Sequence, residues 1–279
     1  MRPKLLVTGG HGVLAGYVRR LMPHYQVIAP DKLELDITND TAVTKLLNQE
    51  KPAVIIHAAA LTDVDYCQSH PELADQVNAR ASGQLALAAE AIGAQFVYIS
   101  TAAVFNGRSE FSVESDEPDP INHYGRSKLA GERLVAEFSP SALIVRSAWL
   151  IGGGREQRKF VANILRLAET QTELAVVNDK VGSLTYARDL VEFIDRSLPS
   201  RLSGIYHFAS AGECSRYDIA ECLVSTMQLP TRLVPVGSEF FAESFAAPRP
   251  DREVLRSIKH DFSIDWQTTL KQYIEDELR

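Results

Sequence analysis

Tyr124 and Lys128 are the residues whose types and spacing point most directly to chemistry. They lie four positions apart in the segment YGRSK, so on one helix both side chains project from the same face. A nearby cation favours the phenolate, and the pattern therefore predicts that Lys128 lowers the pKa of Tyr124. A tyrosine tuned in this way can donate a proton to a carbonyl oxygen, or remove one from an alcohol, near neutral pH. A surface tyrosine–lysine pair is the structural alternative.

A hydroxyl at the end of a predicted strand adds to this pair. The run QFVYIS over residues 95–100 reads as a buried strand, and Thr101 follows it directly. Ligands of open α/β sheets bind outside the carboxyl ends of the strands. Thr101 is therefore placed to hydrogen-bond the same substrate oxygen as Tyr124. The alternative is a hydroxyl that only caps the strand end.

A glycine-rich turn follows the first predicted strand. Residues 8–15 read TGGHGVLA, the pattern G-x-x-G-x-x-A at the start of a helix. Gly9 allows a tight turn, Gly12 allows backbone to approach a pyrophosphate, and the small Ala15 allows close packing of helix on strand. The helix N-terminus offers free N–H groups and a partial positive charge to the anion. The turn predicts a dinucleotide site; the alternatives are a ligand-free connection and, for His11, a solvent-facing spacer.

The end of the second strand bears on the choice of cofactor. Asp31 lies about 20 residues beyond the turn, where an acid hydrogen-bonds the adenosine ribose 2′-OH and favours NADH. Lys32 beside it could instead meet the 2′-phosphate of NADPH, and a solvated loop is the structural alternative. The sequence leaves the cofactor open between NADH and NADPH. Asp36, a little further on, is also a candidate cap for the next helix.

These residues need a scaffold in which strands and helices alternate. Continuous apolar runs suit strands that are covered on both faces, as in a parallel sheet. Together with the helical patterns between them they predict an α/β fold with a doubly wound parallel sheet of the Rossmann type. The predicted strands span 4–8, 25–29, 53–57, 95–100 and 142–146, and the helices 11–21, 41–50 and 71–92.

The alternation becomes less regular after about residue 150. The prediction is a dinucleotide-binding domain over 1–150, onto which 187–208 packs back, and a smaller substrate-binding lobe of 151–186 and 209–279. Further elements are predicted as helices over 159–169, 187–198, 216–227 and 266–277 and strands over 174–177 and 204–208.

Composition excludes several classes of protein. The 29 Lys and Arg against 36 Asp and Glu give a formal charge of −7, which argues against a general nucleic-acid binder. No apolar run approaches the roughly 18 residues of a membrane span, and the first residues show no signal peptide. Three cysteines without a CxxC pair suit a reducing cytoplasm. The seven histidines show no metal-binding spacing, so no catalytic metal is expected.

Taken in order, these motifs resemble the extended short-chain dehydrogenases/reductases, and most of all the dTDP-4-dehydrorhamnose reductase family. The resemblance spans nearly the whole chain. The most similar segments are HAAALTDVD at 57–65, VNA at 77–79, YIST at 98–101, NHYGRSKLAGE at 122–132, VRSAW at 145–149, NILRLA at 163–168, ND at 178–179 and RP at 249–250.

The resemblance implies a reductase of a nucleotide-linked 4-keto-6-deoxy sugar, in carbohydrate biosynthesis. It assigns catalysis to Thr101, Tyr124 and Lys128, and the substrate to Thr62, Thr101, Ala102, Trp149 and Arg249. The cofactor would contact Gly9, His11, Gly12, Val13, Leu14, Asp31, Asp36, Ile37, Ala58, Ala59, Ala60, Thr62, Asn78, Tyr124 and Lys128, with Asp36 and Ile37 beside the adenine. A core tryptophan is the alternative for Trp149, and a homodimer is expected.

The departures from the family pattern fall on its substrate side. Ala102-Ala103 stands where the family has Asp-Tyr, Lys159 where it has Asn, and Lys180 and Leu184 where it has Gln and Pro. The exact sugar and base therefore stay open. Two alternative functions remain on the same fold: a non-catalytic NAD(P)-binding regulatory subunit similar to that of methionine adenosyltransferase, and a sugar-nucleotide epimerase. The intact Thr101, Tyr124 and Lys128 favour the reductase.

Overall fold

The computed structural model describes residues 2–157 and 159–279. Its strands are β1 (Lys4–Thr8), β2 (Gln26–Ile28), β3 (Val54–His57), β4 (Gln95–Thr101), β5 (Leu143–Ser147), β6 (Trp149–Ile151), β7 (Glu173–Val177), β8 (Val181–Gly182), β9 (Leu184–Tyr186), β10 (Gly204–Phe208), β11 (Cys214–Ser215), β12 (Arg232–Val236) and β13 (Arg252–Glu253). Its α-helices are α1 (Val13–Leu21), α2 (Asp40–Glu50), α3 (Val64–Ser69), α4 (Pro71–Asp75), α5 (Ala81–Ala91), α6 (His123–Phe138), α7 (Phe160–Ala168), α8 (Ala187–Ser197), α9 (Arg216–Met227) and α10 (Trp266–Glu277).

A parallel sheet of six strands forms the centre, in the order β10-β5-β4-β3-β1-β2. Separate apolar clusters cover its two faces, so its inner strands are buried on both sides. This confirms the predicted doubly wound sheet. β2 lies on one side of β1, and β3 lies on the other side. The strand order therefore reverses between β1 and β3, and the crevice at their carboxyl ends is the topological switch point where ligands bind.

Several predicted element bounds change in the structure. Helix α1 begins at Val13 and not at His11, because Gly12 is its extended N-cap residue. The single helix predicted over 71–92 comprises α4, a π-helical segment (Gln76–Arg80) and α5, and Pro71 lies in the first turn of α4, where its missing N–H costs no hydrogen bond. Asp36 is not a helix cap, since Asn39 accepts the N-terminal hydrogen bond of α2.

The second half of the chain builds three small sheets, and β7 is the one of their strands that the sequence patterns predicted, over 174–177. β7 pairs with β12, β6 pairs with β9, and β8 pairs with β11 and β13. Most of these strands have two or three residues, too few for a periodic pattern. The apolar cluster on one face of the central sheet continues into α9 and α10 through Leu223 and Leu270. No helix within the described residues is both long enough and apolar enough to span a bilayer.

Candidate active site

A cleft of about 650 Å³ opens at the carboxyl ends of β1, β3 and β4. It brings together residues that are separated by more than a hundred positions in the chain. The predicted site residues that line it are Gly9, His11, Gly12, Val13, Leu14, Asp31, Ala58, Ala59, Ala60, Thr62, Thr101, Tyr124 and Lys128. The glycine turn and the proposed catalytic residues therefore share one cavity.

The glycine turn has the shape that an anion site needs. Gly9 has a φ of +77°, and a Cβ there would lie 3.2 Å from the Cα of Ala59, so a side chain would meet strain and crowding. Gly12 donates its N–H to the Gly9 carbonyl at 2.7 Å and caps α1 without a side chain. Arg19 braces the turn from outside by donating to the Gly10 carbonyl at 2.8 Å. The N-terminus of α1 thus faces the cleft with free N–H groups.

A buried hydrogen-bonded chain fixes the second wall of the cleft. Thr8 Oγ1 accepts hydrogen bonds from the N–H groups of Ala58 (3.2 Å) and Ala59 (3.0 Å). Its own O–H is thus available for His57 Nδ1 at 2.8 Å, which leaves the proton of the imidazole on Nε2 to donate to Ser82 Oγ at 2.9 Å. Burial, followed by the charge of Lys128, lowers the pKa of His57 to about 3 and keeps it neutral.

Thr101 and Tyr124 meet at the end of β4. Asn122 caps α6 by accepting the N–H of Gly125 at 2.9 Å, which places Tyr124 in the first turn. Burial raises the pKa of Tyr124 to about 12, and a hydrogen bond with Thr101 acts in the opposite direction. The phenol is therefore protonated at neutral pH, the state that a proton donor needs.

Lys128 is placed differently from the sequence expectation. Its ammonium donates to the Ile99 carbonyl at 2.8 Å and lies 3.9 Å from the ring centroid of Tyr98. Burial lowers its pKa to about 7, opposed by Glu132. The prediction that the pKa of Tyr124 is lowered is wrong for this structure, because burial of the phenol is the largest effect on that pKa and raises it.

Asp31 and Lys32 both line the cleft beyond β2. Asp31 accepts the backbone N–H groups of Leu33 (2.7 Å) and Glu34 (2.9 Å), and these bonds keep its pKa below the ordinary value. His11 Nε2 lies 3.5 Å from the other carboxylate oxygen. The acid and the lysine stay side by side, so both cofactor choices remain compatible with this end of the cleft.

Three residues expected at the cofactor lie outside the cleft lining. Asp36 binds the N–H and hydroxyl of Thr38, and Ile37 is buried against the core beside α2. Asn78 accepts the N–H of Leu61 at 2.8 Å and donates to Ser127 at 3.0 Å, so it braces the loop that follows β3. A local turn thus holds Asp36, apolar packing holds Ile37, and tertiary hydrogen bonds hold Asn78 outside the lining.

Three residues expected at the substrate also lie outside this lining. Ala102 is 2% exposed, because a 3₁₀ turn (Ala102–Val104) directs it into a small apolar cluster. Ala103 is buried as well, which corrects the expectation that this pair faces the substrate. Arg249 forms an ion pair with Asp65 at 2.6 Å. Trp149 donates its indole N–H to Glu253 at 2.7 Å and lies beside the cleft rather than in it.

Sequence reasoning did not assign several residues that line the cleft. Ser147 ends β5 and Ala148 follows it, and Gln157 and Lys159 come from the segment before α7. The first two lie in a segment already noted for its family resemblance, and Lys159 was noted only as a departure. Their approach to the turn depends on how the second half of the chain packs, which spacing alone does not indicate.

Comparisons with known proteins fit this geometry. Residues 3–279 match the family model described as the RmlD substrate binding domain. The chain belongs to this family. Two relatives align with this chain over most of their own length. The spore coat polysaccharide biosynthesis protein SpsK of Bacillus subtilis is 35% identical, over 98% of this chain and 97% of that protein. A dTDP-4-dehydrorhamnose reductase of Mycolicibacterium smegmatis is 36% identical, over 92% of this chain and 79% of that protein.

A solved structure extends the comparison to three dimensions. The crystal structure of the dTDP-4-dehydrorhamnose reductase of Bacillus anthracis in complex with NADP superposes with a TM-score of 0.94 at 33% identity. The match covers 99% of this chain and 100% of that one. The predicted relationship to the extended short-chain dehydrogenases/reductases, and to dTDP-4-dehydrorhamnose reductases among them, is confirmed.

Proposed function

We propose that this RmlD family member is an NAD(P)H-dependent reductase of a nucleotide-linked 4-keto-6-deoxy sugar. The observation that carries the proposal is that Thr101, Tyr124 and Lys128 line the same cleft as the glycine turn. The substrate class comes from the relatives named dTDP-4-dehydrorhamnose reductase. The proposal includes a homodimer, and the three cysteines, none of which forms a disulfide, suit the reducing cytoplasm in which we place it.

The cleft fits a dinucleotide cofactor. Gly9 and Gly12 leave room for a pyrophosphate above the free N–H groups of α1, where Val13 and Leu14 begin the helix. Ala58, Ala59, Ala60 and Thr62 would form the opposite wall, and Asp31 or Lys32 would meet the adenosine ribose. When bound, the cofactor supplies the hydride, while the protein supplies position and charge.

The residues of the chain divide the proton chemistry between them. Thr101 would hold the ketone oxygen in line with Tyr124, so that the donor works at hydrogen-bond distance. The phenol of Tyr124, with a pKa raised to about 12, would give its proton to the oxygen as negative charge develops there. Lys128 would hold the nicotinamide ribose and, when charged, stabilise the phenolate that remains. We propose that 151–186 and 209–279 form the lobe that binds the sugar nucleotide.

Oxidation of NADPH and NADH tests this proposal, with dTDP-4-dehydrorhamnose and a panel of other nucleotide-linked 4-keto sugars as substrates. Tyr124→Phe keeps the ring and removes the proton, and should lower turnover by roughly 10²–10⁴-fold with cofactor binding nearly intact. Tyr66→Phe is the matched control, because Tyr66 is 41% exposed and lies outside the cleft lining. Full activity of Tyr124→Phe would refute the mechanism and favour the regulatory-subunit alternative.

A further inference from the structure

A buried carboxylate, Glu132, lies one helical turn beyond Lys128 and two turns beyond Tyr124. The three residues are spaced by four in α6, so their side chains project from the same face of the helix. Each of them bonds to one of three consecutive residues of β4. These bonds are Tyr124 with Thr101, Lys128 with the Ile99 carbonyl at 2.8 Å, and Glu132 with the hydroxyl of Ser100 at 2.5 Å. Glu132 therefore belongs to the row of contacts that sets the catalytic helix against the catalytic strand.

The carboxylate of Glu132 also forms a buried ion pair. Arg146 donates from Nε to Oε1 at 2.9 Å and from Nη2 to Oε2 at 2.7 Å, which is a bidentate geometry. The side chain of Arg146 is 2% exposed and that of Glu132 is 3% exposed. Arg146 stands opposite Ser100 where β5 pairs with β4. One carboxylate of α6 thus binds two neighbouring strands of the sheet.

The next residue across the sheet, His207 of β10, is uncharged. It stands opposite Arg146 in the pairing of β10 with β5. Its Nδ1 lies 3.0 Å from the Arg256 carbonyl and 3.3 Å from the Ser112 carbonyl, which assigns the ring proton to Nδ1. Nε2 is then the acceptor that faces Arg146 Nη1 at 3.5 Å. Since burial lowers the pKa of His207 to about 4, the imidazole adds no charge to the ion pair at neutral pH.

Stability alone does not account for a buried ion pair. The desolvation of two charges largely cancels their attraction, and apolar residues of similar volume often stabilise a core equally well. The place of this pair in the fold supplies another reason, because the charge of Glu132 acts on Lys128. Burial of the ammonium disfavours its charged form, and the carboxylate one turn away opposes that effect.

The other titratable groups that face Lys128 are neutral at pH 7. His57 of β3 has a pKa lowered to about 3 by burial, and Tyr124 of α6 has a pKa raised to about 12 by burial. Tyr98 of β4 lies with its ring centroid 3.9 Å from the ammonium, and burial raises its pKa well above the ordinary value. Glu132 is therefore the group whose charge favours the cation.

We propose that Glu132 is a positioning residue of the reductase, which holds α6 in register with β4 and, through its negative charge, keeps Lys128 cationic in the cleft. Arg146 acts with it by fixing the carboxylate to the adjoining strand. The inference rests on the proposed function for the reaction that Lys128 serves. The electrostatic relation between Glu132 and Lys128 depends on neither substrate nor cofactor, so it can be measured directly.

The titration of Lys128 in the full-length protein without added ligand tests the electrostatic part. The probe is the ¹³Cε resonance of this lysine in an NMR spectrum, assigned by its loss in Lys128→Met. We expect a midpoint near pH 7 in the wild type. In Glu132→Gln, which keeps the shape and removes the charge, the midpoint should fall by at least about one pH unit.

A second variant covers the case in which Glu132→Gln does not fold, since that change leaves Arg146 buried without its partner. Glu132→Gln combined with Arg146→Met removes both charges. The midpoint of Lys128 should fall in this variant as well, because Glu132 is the charge that acts on it.

Turnover as a function of pH gives a readout in the reaction itself, with dTDP-4-dehydrorhamnose and NADPH. The basic limb of kcat, where Lys128 loses its charge, should move to lower pH in Glu132→Gln. A shift of about one pH unit lowers the charged fraction about tenfold at about pH 8 and by less than about twofold at about pH 5.5. Glu132→Asp keeps the charge and shortens the side chain, so turnover should fall at every pH while the midpoint stays near that of the wild type.

Glu114→Gln is the matched control. Glu114 is a buried carboxylate, 8% exposed, that lies outside the cleft lining. It accepts the backbone N–H groups of His207 and Ile258 at 2.9 Å each, and the hydroxyl of Ser257. The change removes a carboxylate of similar burial, and it should leave both the midpoint of Lys128 and the basic limb of kcat unchanged.

An unchanged Lys128 midpoint in folded Glu132→Gln or in the double variant would overturn the inference, as would an equal shift in Glu114→Gln. Full turnover of Glu132→Asp would overturn the register role. If the midpoint falls as expected but the wild type reduces no 4-keto sugar, the electrostatic relation stands and the proposed function fails. If sugars are reduced and neither the midpoint nor the basic limb moves, the proposed function stands and the role of Glu132 fails.

Discussion

Gly125 is the point at which the catalytic helix packs on the strand end, and Gly125→Ala tests how tightly the site is positioned. A Cβ at this residue would lie 2.1 Å from the Ala103 carbonyl oxygen and 2.8 Å from the Cβ of Pro120. Neither neighbour is a flexible side-chain tip, so either α6 or the turn after Thr101 must move. Such a shift changes the distance between Thr101 and Tyr124 directly.

The energetic cost can be worked out from the same contacts. Forced overpacking costs about 3 kcal/mol at the upper end of its usual range. Replacing glycine with alanine in a helix stabilises the helix by at most about 1 kcal/mol, so the free energy of unfolding should fall by about 2 kcal/mol in total. At about 2 °C per kcal/mol for a chain of this length, the melting temperature should fall by about 4 °C. Turnover should fall by about 10²-fold, since a displacement of this order misaligns the donor.

Gly16→Ala is the matched control. Gly16 lies within α1, and an added Cβ there meets nothing within 4 Å. It should gain about 1 kcal/mol and about 2 °C with activity unchanged. Differential scanning calorimetry and the NADPH-oxidation assay, both on purified variants, give the two readouts. If Gly125→Ala matches Gly16→Ala in melting temperature and turnover, the argument that close packing sets the catalytic geometry is refuted.

Three other perturbations separate the roles of the remaining residues. Lys128→Met should raise the KM for the cofactor and lower turnover by about 10²-fold, whereas Thr101→Val should lower turnover alone; steady-state kinetics with varied NADPH distinguishes them. The pKa of His57 is lowered to about 3 in the folded state, so between that value and the ordinary pKa near 6.5 the unfolded state binds a proton that the folded state does not bind. The stability that the neutral imidazole contributes is therefore fully present above pH 6.5 and is lost as the pH falls toward 3. His57→Gln should therefore reduce the acid-side slope of unfolding free energy by up to about 1.4 kcal/mol per pH unit, measured by urea unfolding between about pH 4 and 7, and an unchanged slope would contradict the assignment. Asp31→Ala removes a negative charge from the ribose end of the cleft and should raise the NADPH-to-NADH ratio of kcat/KM by about tenfold; a ratio that does not move would place the ribose elsewhere.

Pattern recognition worked where the chemistry depends on elements adjacent in the chain. The glycine turn, Thr101 and the helix of Tyr124 each follow directly from a strand or lie within one helix, so their relative placement is local. The parallel sheet then aligns the carboxyl ends of β1, β3 and β4 in register, as in the pairing of Thr8 with His57. This is why residues about a hundred positions apart could be assigned to one cleft before any contact was known.

The sequence by itself determined the sheet, the glycine turn and which side chains line the cleft. Apolar periodicity and the spacing of glycines are patterns of neighbouring residues, so they can be recognised without the tertiary structure. Only the tertiary structure decided the pKa values of the catalytic residues and the part of the cavity walls that the second half of the chain supplies. Lys128 donates to the Ile99 carbonyl and burial lowers its pKa, while burial of Tyr124 raises the phenol pKa instead of the expected lowering. Gln157 and Lys159 line the cleft because the second half of the chain packs beside the glycine turn. Burial and proximity between elements far apart in the chain set both results, and neither quantity is encoded in the spacing of residues.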